Sequence, residues 1–110
     1  MSTVNAVVLA HSADEFIAEH PVEPGRVRPH RIFDGAGVKI RSLAFDTGVV
    51  MKEHRSPFPI LVQVLSGRIL FRVDGEEHDL RTGGAIHVNG DIPHELEATE
   101  PPHVLLSLLE

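Results

Sequence analysis

The chain has 110 residues, ten Lys and Arg against sixteen Asp and Glu for a formal net charge of −6, eight His, and no Cys, Trp or Tyr. That length suits one domain, and the missing thiols exclude disulfides, thiolate zinc sites, iron–sulfur clusters and a cysteine nucleophile. Nucleic acid selects basic surfaces and stacking aromatics, so an acidic chain with five scattered Phe is not expected to bind it.

No apolar run approaches the ~18 residues of a membrane span. The start MSTVNAVVLAHSADEF lacks the basic opening of a signal peptide, so no membrane association and a soluble, cytoplasmic protein are expected. Ser12-Ala-Asp-Glu15 matches a capping box, in which Ser12 and Glu15 satisfy each other's backbone donors. The following FIAEH makes a short helix that Pro21 stops, since the residue before a proline is pushed out of helical geometry. Pro21–Pro29 reads as an extended arm. Residues 1–30 thus form an N-terminal helix and arm, and residues 31–110 a β domain.

From Arg31 onward, runs rich in Val, Ile, Leu and Phe recur between Gly, Pro and Asp: RIF, VKIRSLAF, VVMKEH, ILVQVL, RILFRV, EEHDLR, AIHV, ELEA and VLLSLL. Many short strands separated by turn signals predict an all-β sandwich or barrel. Asp74-Gly75 is a type I′ hairpin signal, because that turn needs positive φ at both central residues. It would pair Val73 with Glu76, Arg72 with Glu77 and Phe71 with His78, setting an opposite-charge pair outward and stacking His78 on the Phe71 ring. The acidic run Glu95, Glu97 and Glu100 reads as an exposed strand edge, where charge discourages pairing. His11, His20, His30 and His103 fall in turns or flanks. No P-loop, dinucleotide fingerprint or nucleophile elbow is present.

The Gly and His spacing goes further. Gly48, His54, Ser56, Ile60 and Gly67 are followed by Gly83, Asn89, Asp91, His94 and Ala98. This resembles the two motifs of the cupin superfamily, G-x5-H-x-H-x3-4-E-x6-G and G-x5-P-x-G-x2-H-x3-N, over about residues 31–110. The resemblance implies a single-domain jelly-roll barrel, the double-stranded β-helix, behind a short N-terminal helix and arm. In metal-binding cupins three His and one Glu from these motifs hold iron, manganese, nickel, zinc or copper. Here the second His position is Ser56, the Glu position is Ile60, and the Pro, Gly and Asn of the second motif are Asn89, Asp91 and Ala98. Only His54 and His94 remain as candidate ligands, one short of the three protein ligands usual for a catalytic metal.

Gln63 and His87 are the candidates for a missing ligand. Strict alternation along ILVQVL sets Ile60 and Val62 on one face and Gln63 on the other. Along AIHV, Ile86 and Val88 form the core pair and His87 turns away. Alternation in VVMKEH groups His54 with Val50 and Lys52, so either a bulge precedes His54 or this end of the pocket opens to water.

The expected function is small-molecule binding in a barrel pocket. Val50, Ile60 and Val62 would line it, with Phe58 at the entrance and His54, Ser56 and His94 as the few polar contacts. The alternative is a metal-dependent cupin enzyme of the dioxygenase or isomerase type. It would hold Zn, Ni, Mn or Fe through His54 and His94 plus a non-standard third ligand. Whether the protein is an enzyme stays open at this point. The resemblance also implies a homodimer, with the C-terminal edge strand VLLSLL and the N-terminal arm as pairing elements.

Overall fold

The structure, a computed structural model, describes residues 5–110. The first four residues of the expected N-terminal piece lie outside the described residues. Helix α1 (Ala13–Glu19) starts at Ser12, whose Oγ accepts from the Glu15 N–H at 3.1 Å. Only half of the expected box forms, because the Glu15 carboxylate accepts from the backbone N–H of His11 and not from that of Ser12. The helix ends at His20, ahead of Pro21. Among the described residues no helix is long and apolar enough to cross a membrane.

The rest is β: β1 (Val27–Gly35), β2 (Val38–Phe45), β3 (Val50–His54), β4 (Ile60–Val73), β5 (Glu76–Arg81), β6 (Ala85–Val88) and β7 (His94–Leu109). All pairings are antiparallel, in the order β1-β2-β7-β4-β5, with β3 added on β7 and β6 on β4. Strand β1 begins at Val27, inside the stretch expected to be an arm. It is an edge strand, where the absent N–H of Pro29 removes no bond that a central strand would need.

Four of the expected short strands merge into two long ones. ILVQVL and RILFRV both belong to β4, and ELEA and VLLSLL to β7. The joint lies at Gly67, whose φ is 78° and where a Cβ would sit 2.5 Å from the Pro101 carbonyl oxygen. Register shifts between Val64 and Ile69 mark bulges at this crossing. Bulges and glycine bend paired strands, so each long strand serves two halves of a barrel. Residues 103–109 of β7 pair with β2 and the first half of β4. His94–Glu97 pair with β3 and with the end of β4.

Two edge expectations are thereby corrected. VLLSLL is a central segment between β2 and β4, covered on both sides because its apolar residues need covering. Glu95 and Glu97 lie between β3 and β4, where Arg72 binds them at 2.9 and 2.7 Å and also reaches Glu77 at 2.9 Å. One guanidinium, with five N–H donors, gathers three carboxylates. The hairpin register follows the expected pairs from Val73–Glu76 to Phe71–His78, with Asp74 and Gly75 both at positive φ. One core joins both barrel halves, built from Leu43, Phe45, Ile60, Val62, Val64, Ile69, Phe71, Val88, Leu96, Ala98 and Val104.

Candidate functional site

His54 and His94 face each other across β3 and β7 as directly paired residues. Met51 pairs with Leu96 and His54 with His94, so Lys52 and Glu53 on β3 stand against Glu95 alone. This is a β-bulge, and the extra residue turns both Met51 and His54 inward. The same bulge supplies the carbonyl of Lys52, to which His54 Nδ1 donates at 3.0 Å. His94 Nδ1 donates at 3.0 Å to the carbonyl of Ile92, in the turn before β7. Carbonyl oxygens only accept, so each Nδ1 carries the proton and each Nε2 a lone pair when the ring is neutral.

The two rings meet edge to face at a centroid separation of 4.4 Å, and His94 stacks on Phe71 at 5.5 Å with an interplanar angle of 14°. His94 is 3 % exposed, whereas His54 is at the surface. Burial holds the His94 pKa below the ordinary imidazole value; the Ile92 carbonyl opposes this and neighbouring His54 adds to it.

Together the rings bound a cavity of about 150 Å³ lined by Leu43, Met51, His54, Ser56, Ile60, Val62, His94, Leu96, Leu106 and Leu108. The sequence reading named five of these: His54, Ser56, Ile60, Val62 and His94. Met51 takes the place expected for Val50, which the bulge leaves exposed. Leu43 on β2 and Leu96, Leu106 and Leu108 on β7 were missed as well; the last three share the even-numbered face of β7 with His94 and Val104, and that alternation was the available signal. A larger hollow at the hairpin end, lined by Glu53, Arg72, Asp74, Glu76, Glu77, Pro93 and Glu95 among others, is open, and its arginine is already paired.

Other expected site residues fall elsewhere. Phe58 is 40 % exposed and outside the cavity. Its N–H is tied to Ser56 Oγ at 3.1 Å, and Asp91 N–H to the Ser56 carbonyl at 2.7 Å, a turn that keeps Ser56 at the cavity and leaves the Phe58 ring outside. Gln63 is half-buried on the face of β4 opposite Ile60 and Val62, and His87 is exposed opposite Leu61, so neither lines the cavity. His78 lies 3.3 Å from the Glu76 carboxylate, and the ring that stacks on Phe71 is His94 instead.

Three histidines expected in turns or flanks form a second cluster on the outer face of the barrel, where residues 9–13, Phe16, Leu65 and Leu105 line a shallow cleft. His103, buried on β7, has Nε2 2.7 Å from the His20 carbonyl oxygen and Nδ1 3.4 Å from Ser66 Oγ. His20 is also buried, with Nδ1 donating to the Phe16 carbonyl at 2.7 Å, and its ring lies 4.5 Å from Phe16 and 5.1 Å from His30. His30 Nε2 and Ser42 Oγ, on directly paired residues of β1 and β2, are buried without a partner among the described residues. Burial, then His20 and Arg28, hold the His30 pKa below its ordinary value.

The family model described as "Cupin domain" matches residues 43–108. The chain belongs to the cupin family. No curated protein matches it at a significant level. Among solved structures, this cupin resembles a conserved protein of unknown function from Streptococcus pyogenes, at 23 % identity and TM-score 0.78, covering 100 % of this chain and 90 % of that one. A cupin superfamily protein from Desulfitobacterium hafniense DCB-2 is 18 % identical with TM-score 0.74, covering 79 % and 80 %. A Cupin 2 conserved barrel domain protein from Leptotrichia buccalis is 26 % identical with TM-score 0.78, covering 86 % of this cupin but 46 % of that chain.

Cupin domains often hold a metal, and the donor set here fits one poorly. The cavity carries two imidazoles and a hydroxyl, with the hydrocarbon of Ile60 where a metal-binding relative has a carboxylate. Among the described residues no group of three or more His, Asp or Glu is placed to hold a metal ion. Among the described residues, a three-ligand centre of the usual catalytic kind is therefore not assembled.

Proposed function

We propose that this cupin binds a compact, mostly apolar small molecule in its barrel cavity, without a tightly held metal. The cavity carries this reading: seven of its ten lining residues are Leu, Ile, Val or Met, and the polar groups converge at the His54–His94 end. Drug-sized ligands occupy about 300–1,000 Å³, so the occupant is smaller. An apolar cavity of about 150 Å³ accepts a molecule the size of benzene, and no Lys or Arg lines this one to receive a phosphate.

Toluene is the first probe. Saturable binding seen by NMR, lost when Val62→Phe fills the cavity, supports the reading; if neither toluene nor a more polar molecule of the same size binds, the reading is overturned. The metal-dependent enzyme is the competing reading, favoured by two free Nε2 atoms in one pocket. Metal analysis after incubation with excess zinc, nickel, manganese or iron separates the two. A near-stoichiometric ion that disappears from the His54→Ala, His94→Ala double variant would displace the metal-free reading.

The proposal includes a homodimer formed through the β1 edge, one of the two end strands in the order β1-β2-β7-β4-β5. Light scattering at micromolar concentration would then give about twice the 12.1 kDa of one chain, and the single-chain mass would count against it.

A further inference from the structure

The hydrogen bonds that fix the two imidazoles also define what the occupant must bring. Both Nδ1 protons are committed to backbone carbonyls, so both rings turn a lone pair outward from Nε2. Among the described residues, no protein group donates to either Nε2. For His54, at the mouth, water does so freely. His94 is only 3 % exposed and lines the cavity, so an occupant of the cavity can meet its Nε2. Ser56 complements the pair: its Oγ accepts from the Phe58 N–H, and its own hydroxyl proton has no protein acceptor among the described hydrogen bonds. The polar end of the cavity thus offers lone pairs and one O–H donor, over hydrocarbon walls.

From this arrangement we infer that the ligand is a neutral, ring-sized molecule of the phenol or enol class, its hydroxyl donating to His94 Nε2 and accepting from Ser56. The inference rests on the small-molecule reading above and narrows it. A ketone or ether would set its own lone pairs against those of the imidazoles. A carboxylate would do the same, and an ammonium ion would enter a cavity whose lining holds no carboxylate to pair with it. A hydroxyl on an apolar body supplies one donor and one acceptor, which is the complement of this site.

Phenol, anisole and toluene test the inference, titrated by NMR at pH ~8, where free imidazoles are neutral. Toluene is the most apolar of the three and would bind best if hydrocarbon burial alone decided. The expected result is that phenol binds about tenfold more tightly than either, the effect of one well-formed hydrogen bond in a buried site. In His94→Phe the preference should vanish while toluene binding persists. Ser56→Ala, a smaller change, should weaken phenol and leave toluene unchanged. Toluene binding as tightly as phenol to the unaltered protein overturns the inference and leaves the apolar pocket standing. A phenol preference surviving in both variants also overturns it. If none of the three binds, the small-molecule reading itself fails.

Discussion

His94 and His103 lie on the same strand, β7, and end in opposite surroundings. His94, at an even position, turns into the barrel, stacks on Phe71 and keeps one nitrogen unpaired beside a cavity. His103, at an odd position beyond the Gly67 crossing, turns to the outer face, where both its nitrogens lie within hydrogen-bond distance of the His20 carbonyl and Ser66. Both side chains are buried. A buried imidazole with its partners supplied by the protein is structure; one with a free lone pair facing a void is available to a ligand. The contrast separates the pair proposed to meet a ligand from a cluster packed against the N-terminal helix, a distinction that histidine counting does not make.

The comparison can be broken in several places. The largest effect is expected at Phe71, the ring under His94: Phe71→Ala should cost about 3–5 kcal/mol in urea denaturation, the usual range for a large core truncation. His103→Ala should come next, at about 1–3 kcal/mol, because it leaves the buried His20 carbonyl without its donor. Amide exchange should then show residues 13–20 opening while the strands stay protected. Equal exposure of both regions would mean that the cluster belongs to the global core and fastens nothing locally.

Acid should act on both sites with the same sign. The folded pKa values of His94 and His30 are lowered, below the ~6.5 of a free imidazole. Their neutral rings therefore stabilise the fold fully above that value, and the contribution is lost as pH falls through the lowered folded values. Urea midpoints from pH 8 to 5 should decline, with the decline reduced in His30→Gln and in His94→Gln. A bound phenol, which needs the Nε2 lone pair of the neutral ring, should enlarge the part due to His94 and leave that of His30. The smallest effect is expected for Phe58→Ala, within about 0.5 kcal/mol as for exposed sites generally and without change in toluene affinity. A large loss of binding would return Phe58 to the pocket.

Much of the β architecture was legible because alternation and turn chemistry are local. Asp74-Gly75 set the hairpin register, and the even-odd pattern kept Gln63 and His87 away from the residues that became the cavity. The conflict around His54 was also visible: a lysine on a pocket-facing row signals that the period has slipped. The edge assignments failed for a different reason. Whether VLLSLL or Glu95–Glu97 lies at an edge depends on which distant strands flank it, and no local period carries that information. The helix cap went half right, since Ser12 Oγ bonds Glu15 as expected while the return bond is made one residue earlier.

What the sequence determined by itself was the class of fold, the family and the pair His54 and His94, because each is written in spacing along the chain. Eight histidines carry no label saying which are bound by the protein and which are free. That was decided by the bulge at Lys52–Glu53, which turned His54 inward and supplied its carbonyl, and by the N-terminal helix, which closed over His103 and His20. Both depend on segments distant in the chain meeting at fixed register, so the partners that saturate one imidazole and spare another exist only in the folded molecule.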